Sequence, residues 1–301
     1  MTTYRDINIS RQDQFNKEYI KKNNKSFSFP IFSSIEMNIH GSCNRRCAFC
    51  PRVDEHLYPN LDEELEISFF EKILSELKSN DYQGRMGFSG FSEPFLHKDL
   101  VKLVKLFKKK LPNNRLEIVT NGDYLEEEIA KELFESGLYN IRVSLYTNKK
   151  YQIKFDNIRS KLNLNDEQLI VRSRNLGSKN DFGLVMNNRA GSVDYTRIGK
   201  KDKVVSLPLK QPCNYPMFKL FIDYNGDCLL CSNDWKKNKI IGNAKEKNIY
   251  DIWKGEQINS VRKKLINGDR NYDPCMQCDV NGTLNGNEFR DKWATYLKNI
   301  K

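Results

Sequence analysis

Gly41-Ser42-Cys43-Asn44-Arg45-Arg46-Cys47-Ala48-Phe49-Cys50-Pro51-Arg52 decides the reading of this 301-residue chain. Its three cysteines are spaced C-x3-C-x2-C. A cubane iron–sulfur cluster normally takes four thiolates, one per iron. Three thiolates in so short a stretch hold three corners and leave one iron open to a small chelating ligand. The preceding run, Ile35-Glu36-Met37-Asn38-Ile39, reads as a strand, so the cysteines lie on a loop at its carboxyl end. A zinc site and a disulfide framework are the alternatives. Zinc favours paired C-x2-C motifs or one such pair with histidines, and only His40 and His56 stand near enough to add a ligand. Disulfide scaffolds suit short secreted chains.

The motif resembles that of the radical S-adenosylmethionine superfamily, whose open iron binds the methionyl amine and carboxylate of S-adenosylmethionine. The resemblance implies a [4Fe–4S] cluster on Cys43, Cys47 and Cys50, with an external low-potential electron donor of the flavodoxin or ferredoxin type. It also implies a partial (β/α)6 barrel over residues 31–205. Ser89-Gly90-Phe91-Ser92-Glu93-Pro94 is similar to the family's Gly-Gly-Glu-Pro element, with Ser92 in place of the glycine often seen before the glutamate. Glu93 is then expected to accept from the methionine amine, and Gly90 to allow close backbone approach. Phe49 matches the aromatic whose backbone meets the adenine. Asn121, in Thr120-Asn121-Gly122, and Ser144 resemble positions that touch the ribose or carboxylate. Arg172 offers a forked hydrogen bond to the cofactor carboxylate, and Asn187-Asn188-Arg189 offers the same or meets the substrate.

The order of elements agrees with a parallel sheet and crossover helices. Strands are expected at Ile35–Ile39, Arg85–Phe91, Leu116–Thr120, Ile141–Tyr146 and Leu169–Ser173, and a sixth near Phe182–Met186. Helices are expected from a capping box at Ser68-x-x-Glu71 to Leu77, over Asp99–Leu111, and from Asp123-x-x-Glu126 to Gly137. A weaker one runs through Tyr151, Phe155 and Ile158. Residues 1–30 read as a polar, lysine-rich N-terminal arm. Functional groups in such sheets collect at the carboxyl ends of the strands.

Five further cysteines follow: Cys213, Cys228, Cys231, Cys275 and Cys278. Phe218–Ile222 and Cys228–Leu230 flank a glycine turn at Gly226 and read as a hairpin. Helical spacing then runs from Ile249 to Leu265. Here the resemblance is to the SPASM/twitch extension of the same superfamily, which opens with a cysteine, a spacer and Gly-x4-Cys, and ends in C-x2-C. Cys213, Gly226-x4-Cys231 and Cys275-x2-Cys278 fit it. This implies one auxiliary [4Fe–4S] cluster on Cys213, Cys231, Cys275 and Cys278, in a small α+β domain over residues 206–301. Cys228 then packs as a small apolar residue. Zinc bound by Cys228-x2-Cys231 with Cys275-x2-Cys278 stays open as the alternative.

Composition narrows the partners. The net charge of +11 is spread along the chain, with Lys102, Lys105 and Lys109 on the outer face of a helix. No aromatic-interleaved basic stripe of the RNA-binding kind occurs, so no nucleic-acid partner is expected. The charge does suit an anionic or nucleotide-linked small molecule. No apolar run is long enough to span a membrane, and the opening residues carry no signal or transit pattern. Eight cysteines without such a signal point to a reducing, cytoplasmic setting.

A radical S-adenosylmethionine enzyme cleaves its cofactor reductively to a 5′-deoxyadenosyl radical that abstracts hydrogen from substrate. A fully ligated auxiliary cluster suits electron acceptance, which implies dehydrogenation of a sugar-like or cyclitol alcohol. Modification of a ribosomally made peptide is an alternative, although the N-terminal arm is too short for a leader-binding domain. A non-catalytic metal-bearing protein, the third reading, would need no cofactor cradle at Glu93.

Overall fold

The computed structural model describes residues 7–23, 28–146, 151–173, 187–194 and 205–299. Helix α1 (Ile7–Lys22) precedes strand β1 (Ser34–Met37), and four α–β units follow: α2 (Ile67–Ser79), β2 (Arg85–Phe88), α3 (Leu100–Lys110), β3 (Arg115–Thr120), α4 (Glu127–Glu135), β4 (Asn140–Leu145), α5 (Gln152–Lys161) and β5 (Leu169–Ser173). The C-terminal part comprises α6 (Tyr215–Phe218), β6 (Lys219–Ile222), β7 (Asp227–Leu229), β8 (Ile240–Asn243), α7 (Ile249–Lys254), α8 (Glu256–Ile266) and α9 (Asn287–Asn299). The expected strand near Phe182–Met186 lies outside the described residues.

The strands among the described residues form one eight-stranded sheet in the order β5-β4-β3-β2-β1-β6-β7-β8. Strands β1 to β5 pair in parallel, as the expected partial barrel requires. β6 also pairs in parallel with β1, with Ile35 opposite Leu220, and then turns into the antiparallel β7 and β8. The hairpin read from Gly226 is therefore an extension of the barrel sheet. Gly226 has a φ of +94°, a backbone state that glycine adopts without a Cβ penalty.

Alternation along the strands separates two environments. Ile35, Met37, Met86, Phe88, Leu116, Ile118, Ile141 and Val143 face the helices in one apolar core. They meet Phe70, Ile73 and Leu77 of α2, Leu103 and Phe107 of α3, and Leu133 of α4. Of the intervening positions, Glu36, Glu117 and Arg142 are charged. Glu117 lies between Arg85 (3.0 Å) and Arg142 (2.6 Å) on the flanking strands, and Glu36 pairs with Lys219 at 2.7 Å. Burial pushes the Glu117 carboxyl up, and the two arginines more than offset it, leaving it below the ordinary range.

Several local expectations change. α2 starts at Ile67 after Glu66, with no side-chain cap, so Ser68 lies in the first turn and forms no capping box. Asp123, expected to cap α4, instead binds the Arg45 guanidinium (Nε to Oδ2, 2.7 Å), and α4 begins after Glu126. The helical run from Ile249 is broken at Gly255 into α7 and α8. The N-terminal arm holds α1, whose apolar stripe is thin. Tertiary contacts hold this helix: Tyr19 stacks on Phe289 at 6.2 Å, and Asn16 accepts from Ser33 Oγ at 2.6 Å.

Removing Glu117 takes away the carboxylate that two buried guanidinium groups share. Glu117→Ala is expected to cost about 3–5 kcal/mol, read by denaturant titration, and a loss below about 1 kcal/mol would show that the bracket contributes little. Because the folded carboxyl is held low, its contribution is present above the ordinary carboxylate range and disappears as pH falls through the lowered value.

Candidate active site

The C-x3-C-x2-C loop leaves the carboxyl end of β1 and turns back on itself. Cys50 N–H donates to Cys47 O at 2.9 Å, and Cys50 precedes a short 3-10 turn at Pro51–Val53. Arg52 is buried inside this loop. Its guanidinium donates to the carbonyls of Phe91, Pro59 and Gly41 and to Asn60 Oδ1, joining the cysteine loop to the end of β2. These bonds brace the backbone of the loop.

One cleft is lined by Cys43, Cys47, Cys50, Phe49, Gly90, Ser92, Glu93, Asn121 and Ser144. These expected site residues come from the carboxyl ends of β1, β2, β3 and β4. Arg45, Arg52, Tyr146, Arg189 and Trp235 line it as well. Arg172 does not line it. From β5, opposite Ser144 in register, its Nη2 donates to Ser144 Oγ at 3.3 Å. Of Asn187-Asn188-Arg189, Arg189 faces the cleft, whereas Asn188 turns away and donates through Nδ2 to Gln277 O at 2.6 Å.

Glu93 is 2% exposed. It accepts from Thr120 Oγ1 (2.6 Å), Asn121 N–H (2.8 Å) and Phe95 N–H (3.2 Å). Burial raises its carboxyl to about 7 against the pull of these donors. Gly90 has a φ of +132°, and a Cβ there would sit 3.1 Å from Asn38 and the Phe221 ring. Asn38 is a junction that sequence reading missed. Its Oδ1 accepts from Phe91 N–H and Ser92 Oγ, and its Nδ2 donates to Asp223 Oδ1 at 2.7 Å. Nothing local marks an asparagine after a strand as such a hub, because the partners it joins after β2 and β6 lie 53 to 185 residues away.

The thiols of Cys43, Cys47 and Cys50 lie close enough to perturb one another. Burial pushes all three up, Cys47 to about 11, and Cys50 and Cys43 push Cys47 further in the same direction. Arg45 opposes this at Cys47, Arg52 at Cys43 and Cys50, and Arg189 at Cys50. Arg52 and Arg189 thus bring positive charge to these thiols, while Arg45 is itself paired with Asp123. His40 is committed elsewhere, its Nδ1 accepting from Ser42 N–H at 2.9 Å, and His56 is exposed.

The second set gathers in the C-terminal part. Cys213 precedes α6, Cys231 follows β7, and Cys275 opens a 3-10 turn that ends at Cys278. Burial drives Cys231 far up, and the charges of Cys275, Cys278 and Cys213 raise it further. Cys275 is raised to about 12 and Cys278 to about 11, again first by burial. Gly282 packs on Cys213, where a Cβ would collide with Sγ, so the loop closes tightly around this thiol. Cys228 is separate. It is fully buried in the main apolar core, and the charges it feels are those of Asp227, Glu76 and Lys72. Among the described residues, no three His, Cys, Asp or Glu side chains are placed to close on a single metal ion.

Of the part that carries the second set, Trp235 reaches the cleft, while the four auxiliary cysteines do not line it. Trp235, four residues after Cys231, packs on Phe91 at a tilt of 41° (4.4 Å between ring centres) and meets Tyr58 edge-on at 5.7 Å. Tyr58 in turn donates to Ser192 at 2.9 Å. Among the described residues no helix is long and apolar enough to cross a membrane.

A profile of the Radical SAM superfamily matches residues 37–165, and one of the SPASM iron–sulfur cluster-binding domain matches residues 213–279. The S-adenosyl-L-methionine-dependent 2-deoxy-scyllo-inosamine dehydrogenase of Niallia circulans is 29% identical over 251 residues, covering 83% of this chain and 93% of that protein. A GTP 3′,8-cyclase of Clostridium perfringens strain SM101 is 27% identical over 120 residues, 40% of this chain and 36% of that protein. The crystal structure of BtrN in complex with AdoMet and 2-DOIA aligns with a TM-score of 0.70 at 27% identity, over 84% of this chain and 95% of that one. With both profiles matched and the barrel and its extension in place, the chain belongs to the radical SAM superfamily, as an enzyme with a radical SAM [4Fe–4S] cluster and a C-terminal SPASM iron–sulfur domain.

Proposed function

We propose that this enzyme dehydrogenates an alcohol carbon of a cyclitol or sugar-like small molecule, an aminocyclitol being the first candidate. The observation that carries the reading is the parallel pairing of β1 with β6: one cysteine set follows β1, and Cys231 of the other follows the hairpin that β6 opens. The likeness to the 2-deoxy-scyllo-inosamine dehydrogenase over nearly its whole length supports the substrate class. When bound, the clusters and S-adenosylmethionine supply reductive cleavage, hydrogen abstraction from the alcohol carbon and removal of one electron, while the hydroxyl proton leaves to give a ketone.

The chain's own residues have simpler tasks. Cys43, Cys47 and Cys50 hold the cluster that keeps one iron open, within a barrel over residues 31–205. Cys213, Cys231, Cys275 and Cys278 hold a [4Fe–4S] cluster in the part from 206 onward, and Cys228 stays in the core. Glu93, pinned by Thr120 and Asn121, presents its remaining lone pairs to the methionine amine. Ser144, with Arg172 behind it, faces the ribose or carboxylate, and the backbone at Phe49 meets the adenine. The aromatic wall of Phe91 and Trp235 excludes water from the reacting carbon. An external low-potential donor supplies the electron for cleavage.

Anaerobic incubation with 2-deoxy-scyllo-inosamine and related polyols, with 5′-deoxyadenosine and ketone measured together, tests the reading. Equal 5′-deoxyadenosine with and without any polyol would overturn the substrate class.

Two predictions follow from the residue roles. Alanine at any one of Cys43, Cys47 or Cys50 is expected to abolish 5′-deoxyadenosine formation and leave about four irons, as one cubane holds one iron per thiolate corner. Alanine at Cys231 is expected to leave cleavage intact, remove about four irons and stop ketone formation, while Cys228→Ala keeps its iron. One equivalent of zinc with only one cluster's iron in the native protein would refute this ligand set.

Glu93→Gln is expected to weaken S-adenosylmethionine binding by about 1.5–3 kcal/mol, the range for a hydrogen bond to a charged group. Because the wild-type carboxyl titrates near 7, its affinity should fall as pH drops through that value and the carboxylate takes up a proton. The glutamine variant should show no such slope. Calorimetry across this pH range gives both quantities, and an unchanged dissociation constant would place the glutamate outside the amine's reach.

A further inference from the structure

Arg270 stands between the end of α8 and Cys275 and is 2% exposed. Each of its three guanidinium nitrogens donates to a main-chain carbonyl: Nε to Gln211 O (2.9 Å), Nη2 to Pro212 O (2.8 Å) and Nη1 to Val280 O (2.9 Å). Gln211 and Pro212 immediately precede Cys213, and Val280 lies two residues past Cys278. A single side chain therefore ties the loop of the first auxiliary cysteine to that of the last two.

The carbonyls satisfy the donors but not the charge. Among the described residues no carboxylate pairs with this guanidinium, and a buried cation without an anion costs several kcal/mol. Arg262, the other deeply buried arginine of the C-terminal part, meets its charge differently, between the Trp253 and Trp293 rings at 4.0 and 3.6 Å. Arg270 has the auxiliary thiols instead. Its three carbonyl partners belong to residues one, two and two positions from Cys213 or Cys278, so its charge is held beside the ligand loops. Four thiolates around a cubane carry a net negative charge that grows on reduction, and net charge and hydrogen bonding near the sulfurs set the potential.

We infer that Arg270 is the built-in counter-cation of the auxiliary cluster, a positioning residue whose charge raises the cluster's reduction potential and so favours its taking an electron from substrate. The inference rests on the auxiliary-cluster reading above. A neutral side chain could bind some of the same carbonyls, but without the charge that favours the reduced cluster over the oxidised one. Lysine keeps the charge and cannot make the three-way fork, so substitutions can separate charge from clamp.

The test is an anaerobic redox titration, followed by electron paramagnetic resonance, of the full chain with Cys43, Cys47 and Cys50 replaced by alanine, so that iron is confined to the auxiliary site. R270K and R270Q are compared with this parent. R270Q is expected to lower the midpoint, reducing the ratio of reduced to oxidised cluster at the parent's midpoint about tenfold, which is about 59 mV for one electron. R270K is expected to stay near the parent. R270Q with full iron at the parent's midpoint would overturn the inference. If R270Q holds no iron, the lysine variant decides: the parent's midpoint supports the role of charge, and a lowered one refutes it in favour of geometry alone. A parent without iron would instead overturn the auxiliary-cluster assignment, a result distinct from any shift in potential.

Discussion

The pairing of β1 with β6 is the constraint on which the rest of the molecule depends. β1 has a parallel neighbour on each side, β2 and β6, so two segments far apart in the chain end at the same rim of one sheet. The radical SAM loop leaves the rim from β1, and the hairpin leading to Cys231 leaves it from β6. Asn38 fixes the join, with its N–H on Ile222 O at 2.9 Å and its side chain on Asp223. A shift of one residue between these strands would turn Glu36 into the apolar core and break its pairing with Lys219.

Local chemistry made the cysteine sets legible. Thiolate spacing needs no tertiary information, and the Gly226 register separated Cys231 from Cys228, which the structure buries in the core away from the other thiols. The five barrel strands were legible from short apolar runs. What escaped depends on contacts between distant segments. Arg52, within the motif, becomes a brace only because Phe91 and Pro59 come to it. Trp235 matters because Phe91 and Tyr58 meet it, and α1 is held by Ser33 and Phe289 more than by its own weak periodicity. Ser68 and Asp123 satisfied capping patterns, yet neither forms a side-chain cap.

The barrel also shows how a parallel sheet can carry a polar interior. Such sheets usually read as continuous apolar runs because both faces are buried. Here one face is apolar against the helices, and the other carries the Arg85–Glu117–Arg142 bracket and the Glu36–Lys219 pair. Towards the carboxyl ends the same face offers Ser89, Asn121 and Ser144. Its buried carboxylates are paired within the protein, whereas at the cleft Arg52 and Arg189 stand near the thiols and Arg45 is held by Asp123.

The place of β1 in the sheet has a consequence for biosynthesis. Until residues 219–222 leave the ribosome, β1 has only one neighbour and presents a bare parallel edge, a template for pairing with other chains. The partners Asn38 and Asp223 are 185 residues apart, so at ordinary elongation speeds of about 5–20 residues per second this edge stays open for roughly ten to forty seconds. A nascent chain stalled within the barrel would therefore be prone to aggregate, and holdase chaperones would be needed most in the interval before β6 docks.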